Sequence, residues 1–306
     1  MKQEQYFEPY LIDDETLKKM KAKMLDLLLY YKDFCDRHGL MFYLIGGGAI
    51  GAVRERGFIP WDDDVDVMMP RRDYEKFQVL WEKYGDKDRY VYCRTNREVN
   101  YHHPAASLRD PSTTFICSYN VNSDICHGIS LEMGPIDAAP NSKILQYIQI
   151  FQGYIFALFN AQRLPNNRGR FLRKCTKLAY TLIPSKRIQD ALWIIAEKEK
   201  SKYSWEKATF VKELWGKTSF YNFPKEWFDS VVYFDFEGHP MPLMKGYHEY
   251  LTLIFGDYMK RPPVPERVAK HELVYVDMDH PYTDYKDIYY FPENDPRNKK
   301  KRLMNV

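Results

Sequence analysis

GGGAIGAVRERGFIPWDDDVD, residues 46–66, is the stretch on which the reading of this chain turns. Three consecutive glycines let a backbone approach a phosphate closely, with its N–H groups turned towards the anion. The aspartates that follow, Asp62, Asp63, Asp64 and Asp66, supply hard oxygen ligands for the Mg²⁺ that accompanies such a phosphate. Together the two halves imply metal-assisted transfer of a phosphoryl-type group from a nucleotide-activated donor.

The spacing carries the same message. Residues 64–69, DVDVMM, read as a short strand, in which side chains alternate between faces. Asp64 and Asp66 then share one face, Asp62 can join them from the preceding turn, and Val65 and Val67 point into a core. Two carboxylates so placed can grip one metal ion or a close pair, which stabilises the attacking and leaving oxygens of an in-line displacement.

Other motifs fit less well. A P-loop requires Lys and Ser or Thr after Gly51, where the chain has Ala52 and Val53. An EF-hand beginning at Asp62 requires Gly and Glu where Val67 and Asp73 stand. Gly46, Gly48 and Gly51 do spell a dinucleotide fingerprint after the apolar run 42–45, but the acids open the second apolar run instead of closing it, and Pro60-Trp61 interrupts the approach. A plain glycine turn beside a solvated acidic loop is the bland alternative.

The longer segment LIGGGAIGAVRERGFIPWDDDVDVMMPRRDYEKF resembles the LicD family of phosphotransferases, a branch of the DNA polymerase β-like nucleotidyltransferase fold with fukutin-type proteins as distant relatives. HGISLEMGPIDAAP (127–140) and FEGHPMPLMKGYHEYLTLIFGDYMKRPP (236–263) fit the same family, so the resemblance spans roughly 12–140 and 230–270. It implies transfer of phosphocholine, or another phosphorylated alcohol, from a CDP-activated alcohol donor to a glycan or lipid-linked glycan acceptor, with Mg²⁺ (or Mn²⁺) as cofactor. On the same footing Asp64 and Asp66 are the expected metal ligands. Glu132 stands where relatives usually have Asp, and is expected to complete the site or take the acceptor's proton. Gly46, Gly47 and Gly48 are expected to cradle the donor phosphates, although many relatives have Ser or Thr where Gly48 stands. Arg54 is expected to neutralise the transferred phosphate. The nearest alternatives are nucleotidyl transfer from an NTP with release of pyrophosphate, and a non-catalytic nucleotide- or glycan-binding membrane adaptor.

Other residues have open roles. Asp137 is a reserve carboxylate or a support for the turn before Pro140. Asp62 and Asp63 either act behind the ligands or order the turn with Trp61, and Arg56 can be simply solvated. His127 either donates to a phosphate or makes a structural hydrogen bond. Tyr247, Tyr250, Gly256, Asp257 and Tyr258 read as a helix packed against the sheet. Aromatic residues make up 16% of the chain, enough for an aromatic cage around a quaternary ammonium but equally the mark of an aromatic core.

The chain of 306 residues, 45% of them hydrophobic, can form one large domain or two small ones. A net charge of +3 does not describe a nucleic-acid binder, so no nucleic-acid partner is expected. No run of 18 apolar residues occurs, and MKQEQYFEPYLIDDETLKK is too polar for a signal peptide. The expectation is a cytoplasmic protein, peripheral on the inner face of the membrane. Five cysteines without a CxxC pair imply reduced, mostly buried thiols, and Cys126-His127 lacks partners at zinc spacing.

Apolar periodicity predicts a helix over 14–38 stopped by Gly39, a strand over 42–45, a helix over 49–56, another over 72–84, and strands near 89–93, 103–109 and 129–136. The expected fold is α/β (α+β): a nucleotidyltransferase-like mixed sheet flanked by helices, with a basic helical insertion. The chain divides into a catalytic core over 1–140, the insertion over 141–215, a C-terminal part of the core over 216–275 and an extended tail over 276–306. After Arg261, Pro262 and Pro263 the chain is expected to run over the surface, ending in the basic NDPRNKKKRLMNV.

The insertion carries the second strong signal. Residues 141–189 contain nine Lys or Arg and no Asp or Glu, whereas the rest of the chain is net acidic. Its first part, 144–159, is apolar but short for a membrane span; its second, 168–183, interleaves basic and apolar residues as an interfacial helix does. An anionic membrane surface is the favoured partner for 141–189, against a buried insertion with a solvated basic face or a groove for an anionic glycan.

Overall fold

The computed structural model describes residues 10–164, 169–214 and 217–292. Arg168 and the basic tail 294–306 lie outside the described residues. The first helix, α1 (Asp14–His38), starts where the Asp13 side chain accepts a hydrogen bond from Thr16 N at 2.7 Å, and ends at Gly39 with φ +62°. Its buried face holds Met20, Met24, Leu27, Tyr31 and Phe34, in the helical period expected.

Strand β1 (Tyr43–Ile45) leads directly into α2 (Gly46–Ile50), which widens into a π-helical turn over Gly51–Glu55. The helix therefore begins at the glycines and not at Ala49, so the triplet is its first turn. Gly51 is required by contact: a Cβ there would lie 2.2 Å from the Gly57 carbonyl oxygen. Strand β2 (Asp66–Pro70) and helix α3 (Arg71–Tyr84) follow, then β3 (Val91–Cys93), β4 (Ala106–Asp110), β5 (Thr114–Cys117) and the ten-residue β6 (Ile129–Ala138).

Strands β1, β2, β6, β4 and β3 lie side by side in that order in a seven-stranded mixed sheet. β2 and β6 are parallel; β1 is antiparallel to β2, and β4 to both β6 and β3. The fold is thus mixed α/β. Phe34, Phe77, Trp81 and Tyr31 pack between α1, α3 and the sheet, with ring centroids 5.1 to 6.1 Å apart along the Phe34–Phe77–Trp81 line. Each such side chain contributes roughly 1.5–3 kcal/mol by leaving water.

Helices α4 (Lys143–Ala161), α5 (Gly169–Leu182) and α6 (Lys186–Lys200) follow β6, over the segment expected as the basic insertion. α4 and α6 pack through Phe156, Phe159, Trp193 and Ala196. The insertion is tied to the sheet by buried polar groups: Gln149 donates to the carbonyls of Ala138 and Lys200, and Asp137 pairs with Arg71 and Lys200. Among the described residues, no helix is long and apolar enough to cross a membrane.

The chain then rejoins the sheet. β7 (Phe210–Lys212) pairs with the end of β6 and with β8 (Phe223–Pro224). The hairpin β9 (Val231–Phe236) and β10 (His239–Met244) precedes α7 (Tyr247–Phe255). Tyr250 is buried and donates to Glu213, while Tyr258 meets His248 Nδ1 at 2.9 Å.

Residues 264–272 run over the surface as expected, but from Leu273 the chain departs from that path. β11 (Leu273–Asp277) pairs antiparallel with β5, and Tyr282 and Tyr290 pack over Ile116 and Val274. Apolar residues at 273, 274 and 276 find a sheet edge to cover, so this stretch is part of the body and not an extended tail up to residue 292.

Candidate active site

Alternation along β6 decides one wall of the site. Leu131 and Met133 are buried in the core, whereas Ser130 and Glu132 face the other way, into a cavity of about 180 Å³. Val65 and Val67 are likewise buried, and Asp64 and Asp66 line the same cavity. Parallel pairing puts Asp66 and Glu132 in register on neighbouring strands. The structure thus gathers Asp64, Asp66 and Glu132 around one space, although Asp64 lies just before the strand and not within it.

Asp63, buried, lines the same cavity beside Asp64. Its carboxylate accepts from the backbone N–H groups of Lys270 and His271, each at 3.3 Å. His271 Nδ1 lies 3.2 Å from Asp63 and 4.0 Å from Asp64, buried and not aligned for a hydrogen bond. Ligand atoms of Asp63, Asp64 and His271 all lie within 4.8 Å of one another.

Electrostatics follow from this crowding. Burial, then the charges of Asp64 and Glu132, push the Asp66 carboxyl well above the usual carboxylate range. Asp64 keeps 38% of its side chain exposed yet is also raised, by the enclosing protein and by Asp63 and Glu132. Burial and Asp64 bring Asp62 up to about 7. Asp63 runs the other way: burial would raise it, but His271 and the two backbone N–H groups hold it down. Burial would lower His271, but Asp63 and then Asp64 raise it to about 9.

A set of hard carboxylate oxygens that repel one another fits a divalent cation of the Mg²⁺ (or Mn²⁺) type. Asp64, Asp66 and Glu132 line the cavity that would take one, and the closest cluster of donor atoms there is that of Asp63, Asp64 and His271.

The cavity also has a cationic side. Arg109, on β4, is buried, donates to Ser107 Oγ and the Cys126 carbonyl, and lines the cavity with Tyr119, Asn120 and Phe115. His103 Nε2 lies 3.2 Å from Glu132, and its Nδ1 accepts from Ala105 N, so in the neutral ring Nε2 carries the proton. Sequence reading passed over His271, Arg109 and His103. Nothing in local spacing marks them, because they reach the site from β4, its approach and the loop before β11.

Other expected site residues lie apart from the cavity. Gly46, Gly47 and Gly48 do not line it. The Asp62 carboxylate sits against Gly47, so close that a Cβ there would be 1.9 Å from Oδ2. Arg54 is engaged by Glu55 at 2.8 Å and by the Tyr258 carbonyl at 2.7 Å. Asp137, the reserve carboxylate, points to the opposite face of β6 from Glu132 and is consumed by Arg71 and Lys200. His127 is buried, with Nε2 at 3.2 Å from the Ser123 carbonyl and its ring 4.4 Å from Tyr290, a structural placement. Trp61 lies under the Arg267 guanidinium at 5.4 Å. Four cysteines are buried and Cys175 is exposed, all free.

Comparison with known proteins bears on the same region. Residues 39–107 match the family model described as LicD/FKTN/FKRP, nucleotidyltransferase domain. The chain is also similar to the lipopolysaccharide cholinephosphotransferase LicD of Haemophilus influenzae, at 29% identity over 268 residues that cover 84% of this chain and 96% of that protein.

Proposed function

We propose that this chain, similar to LicD proteins over 84% of its length, is a LicD-type phosphotransferase that moves a phosphoalcohol, phosphocholine first, from a CDP-linked donor to a hydroxyl of a cell-surface glycan such as lipopolysaccharide or a teichoic acid precursor. The observation that carries this reading is the convergence of Asp64, Asp66 and Glu132 on one cavity that Arg109, on the neighbouring strand β4, also lines. That pairing of a carboxylate cluster with a buried guanidinium suits a metal-bound phosphate diester: carboxylates for the cation, arginine for phosphate oxygens.

Asp64, Asp66 and Glu132 would hold Mg²⁺ (or Mn²⁺), which when bound supplies charge neutralisation at the phosphate and lowers the pKa of a hydroxyl beside it. The protein's own groups do the rest. Arg109 orients the phosphate, Asp63 and His271 keep the neighbouring Asp64 in place, and the cavity excludes bulk water. Transfer joins the acceptor oxygen to phosphorus and breaks the bond to the nucleotide phosphate, so CMP leaves. The acceptor's proton passes to Glu132, whose carboxylate the His103 Nε2–H faces at 3.2 Å.

Asp66→Ala tests the site. It should abolish transfer while the protein stays folded; full activity would remove Asp66 from the mechanism. Product analysis separates the readings: CMP supports phosphoalcohol transfer, pyrophosphate would mean nucleotidyl transfer from an NTP, and ligand binding without turnover would mean an adaptor.

A further inference from the structure

Helix α5 is unusual in what it buries. Of its fourteen residues only Thr176 is buried, and Tyr180 adds an anchor by donating to the Leu158 carbonyl. Phe171, Cys175, Leu178 and Leu182, spaced four, three and four apart, form one stripe on a different side of the helix. The stripe faces solvent: Phe171 is 81% exposed, Leu178 58% and Leu182 72%. The apolar face of a globular helix normally faces the core, so this one is inverted.

Charge chooses the occupant. Arg170, Lys174 and Lys177 are exposed on the flank of the stripe, and no acidic residue occurs anywhere between 141 and 189. Long basic side chains beside an apolar stripe can reach phosphate headgroups while the stripe enters the acyl boundary. A protein partner of ordinary mixed charge would leave these cations unpaired.

We propose that α5 is a membrane-surface helix that lays its outward apolar stripe on an anionic bilayer and seats the enzyme there. Membrane docking is independent of the chemistry at the carboxylates, so each can fail without the other.

Cys175 lies on the stripe and is the exposed one of the five cysteines, which makes it a native attachment point for an environment-sensitive fluorophore. The full chain is titrated with vesicles of equal parts phosphatidylglycerol and phosphatidylcholine, and with phosphatidylcholine alone; flotation of unlabelled protein runs in parallel. Anionic vesicles should blue-shift the probe and float the protein, with partitioning at least about tenfold stronger than into phosphatidylcholine. Leu178→Glu with Leu182→Glu, or separately Lys174→Gln with Lys177→Gln, should weaken it about tenfold or more, with transfer to a water-soluble acceptor unchanged. Val79→Glu, at an exposed apolar position on α3, should have no effect on partitioning. Absence of wild-type flotation would overturn the proposal. So would a dimer in sedimentation that the Leu178/Leu182 variant dissolves without any lipid dependence, since the stripe would then meet a second copy.

Discussion

Asp66 on β2 and Glu132 on β6 are direct register partners across a parallel strand pair. Parallel neighbours cannot be joined by a tight turn, so two residues far apart in the chain meet only after α3, β3, β4 and β5 have been laid down between them. The pairing places two carboxylates on one face of the sheet, and Asp64 brings a third.

Removing one of them should uncouple stability from activity. Asp66→Asn relieves repulsion within the cluster, so its melting temperature in a chelator should equal or exceed that of the wild type. Its gain on adding Mg²⁺ should shrink, and turnover should fall by on the order of a thousandfold. Differential scanning fluorimetry with and without Mg²⁺, beside a CMP-release assay, checks all three.

His271→Gln keeps the shape of the wall but removes the charge beside Asp63 and Asp64. Metal affinity, measured by calorimetric titration, should weaken by about 10- to 100-fold as the carboxylates lose their orientation. An unchanged affinity would mean that His271 has no part in metal binding.

Asp137→Ala should act on folding and not on chemistry. It takes the ion-pair partner from buried Lys200 and leaves Arg71 to Glu75 and Glu197 alone, and should cost about 3–5 kcal/mol in denaturant unfolding. Turnover per folded molecule at low temperature should stay close to that of the wild type. A selective loss of turnover would return Asp137 to the active site.

His127 sets an acid limit on stability. Burial, against a weaker pull from the Ser123 carbonyl, lowers it to about 3, so the folded protein keeps the ring neutral where the unfolded chain, near 6.5, protonates it. Between those values the unfolded state binds more protons, so this contribution to stability is complete above about 6.5 and is lost as pH falls towards 3. In His127→Gln, the slope of unfolding free energy against pH over that window should flatten by up to one proton.

Much of the catalytic region was legible because its signals are local. Helical period and a terminal glycine mark α1, and alternation across 64–67 correctly separates the core valines from the cavity aspartates. The same local logic misplaced the start of α2: a glycine triplet reads as a loop, yet with β1 pairing to β2 on one side it forms the first helical turn. Arg54 looks free in the sequence; only the fold brings the Tyr258 carbonyl against it. The stretch from Leu273 reads as surface chain because its partner, β5, is too distant in sequence to be seen.

By itself, the sequence determined the resemblance to LicD proteins, the mixed α/β class, the acidic motif and the segregation of basic charge into 141–189. These are properties of short windows and of composition. The tertiary structure decided which groups share the cavity: Glu132 with Asp66, His271 beside Asp64, and Arg109 on the strand next to Glu132, with Asp137 diverted to Arg71 and Lys200. It also decided that α5 turns its apolar stripe outward. Such choices depend on strand register and on which helix face finds a partner, and both are set by packing between segments far apart in the chain.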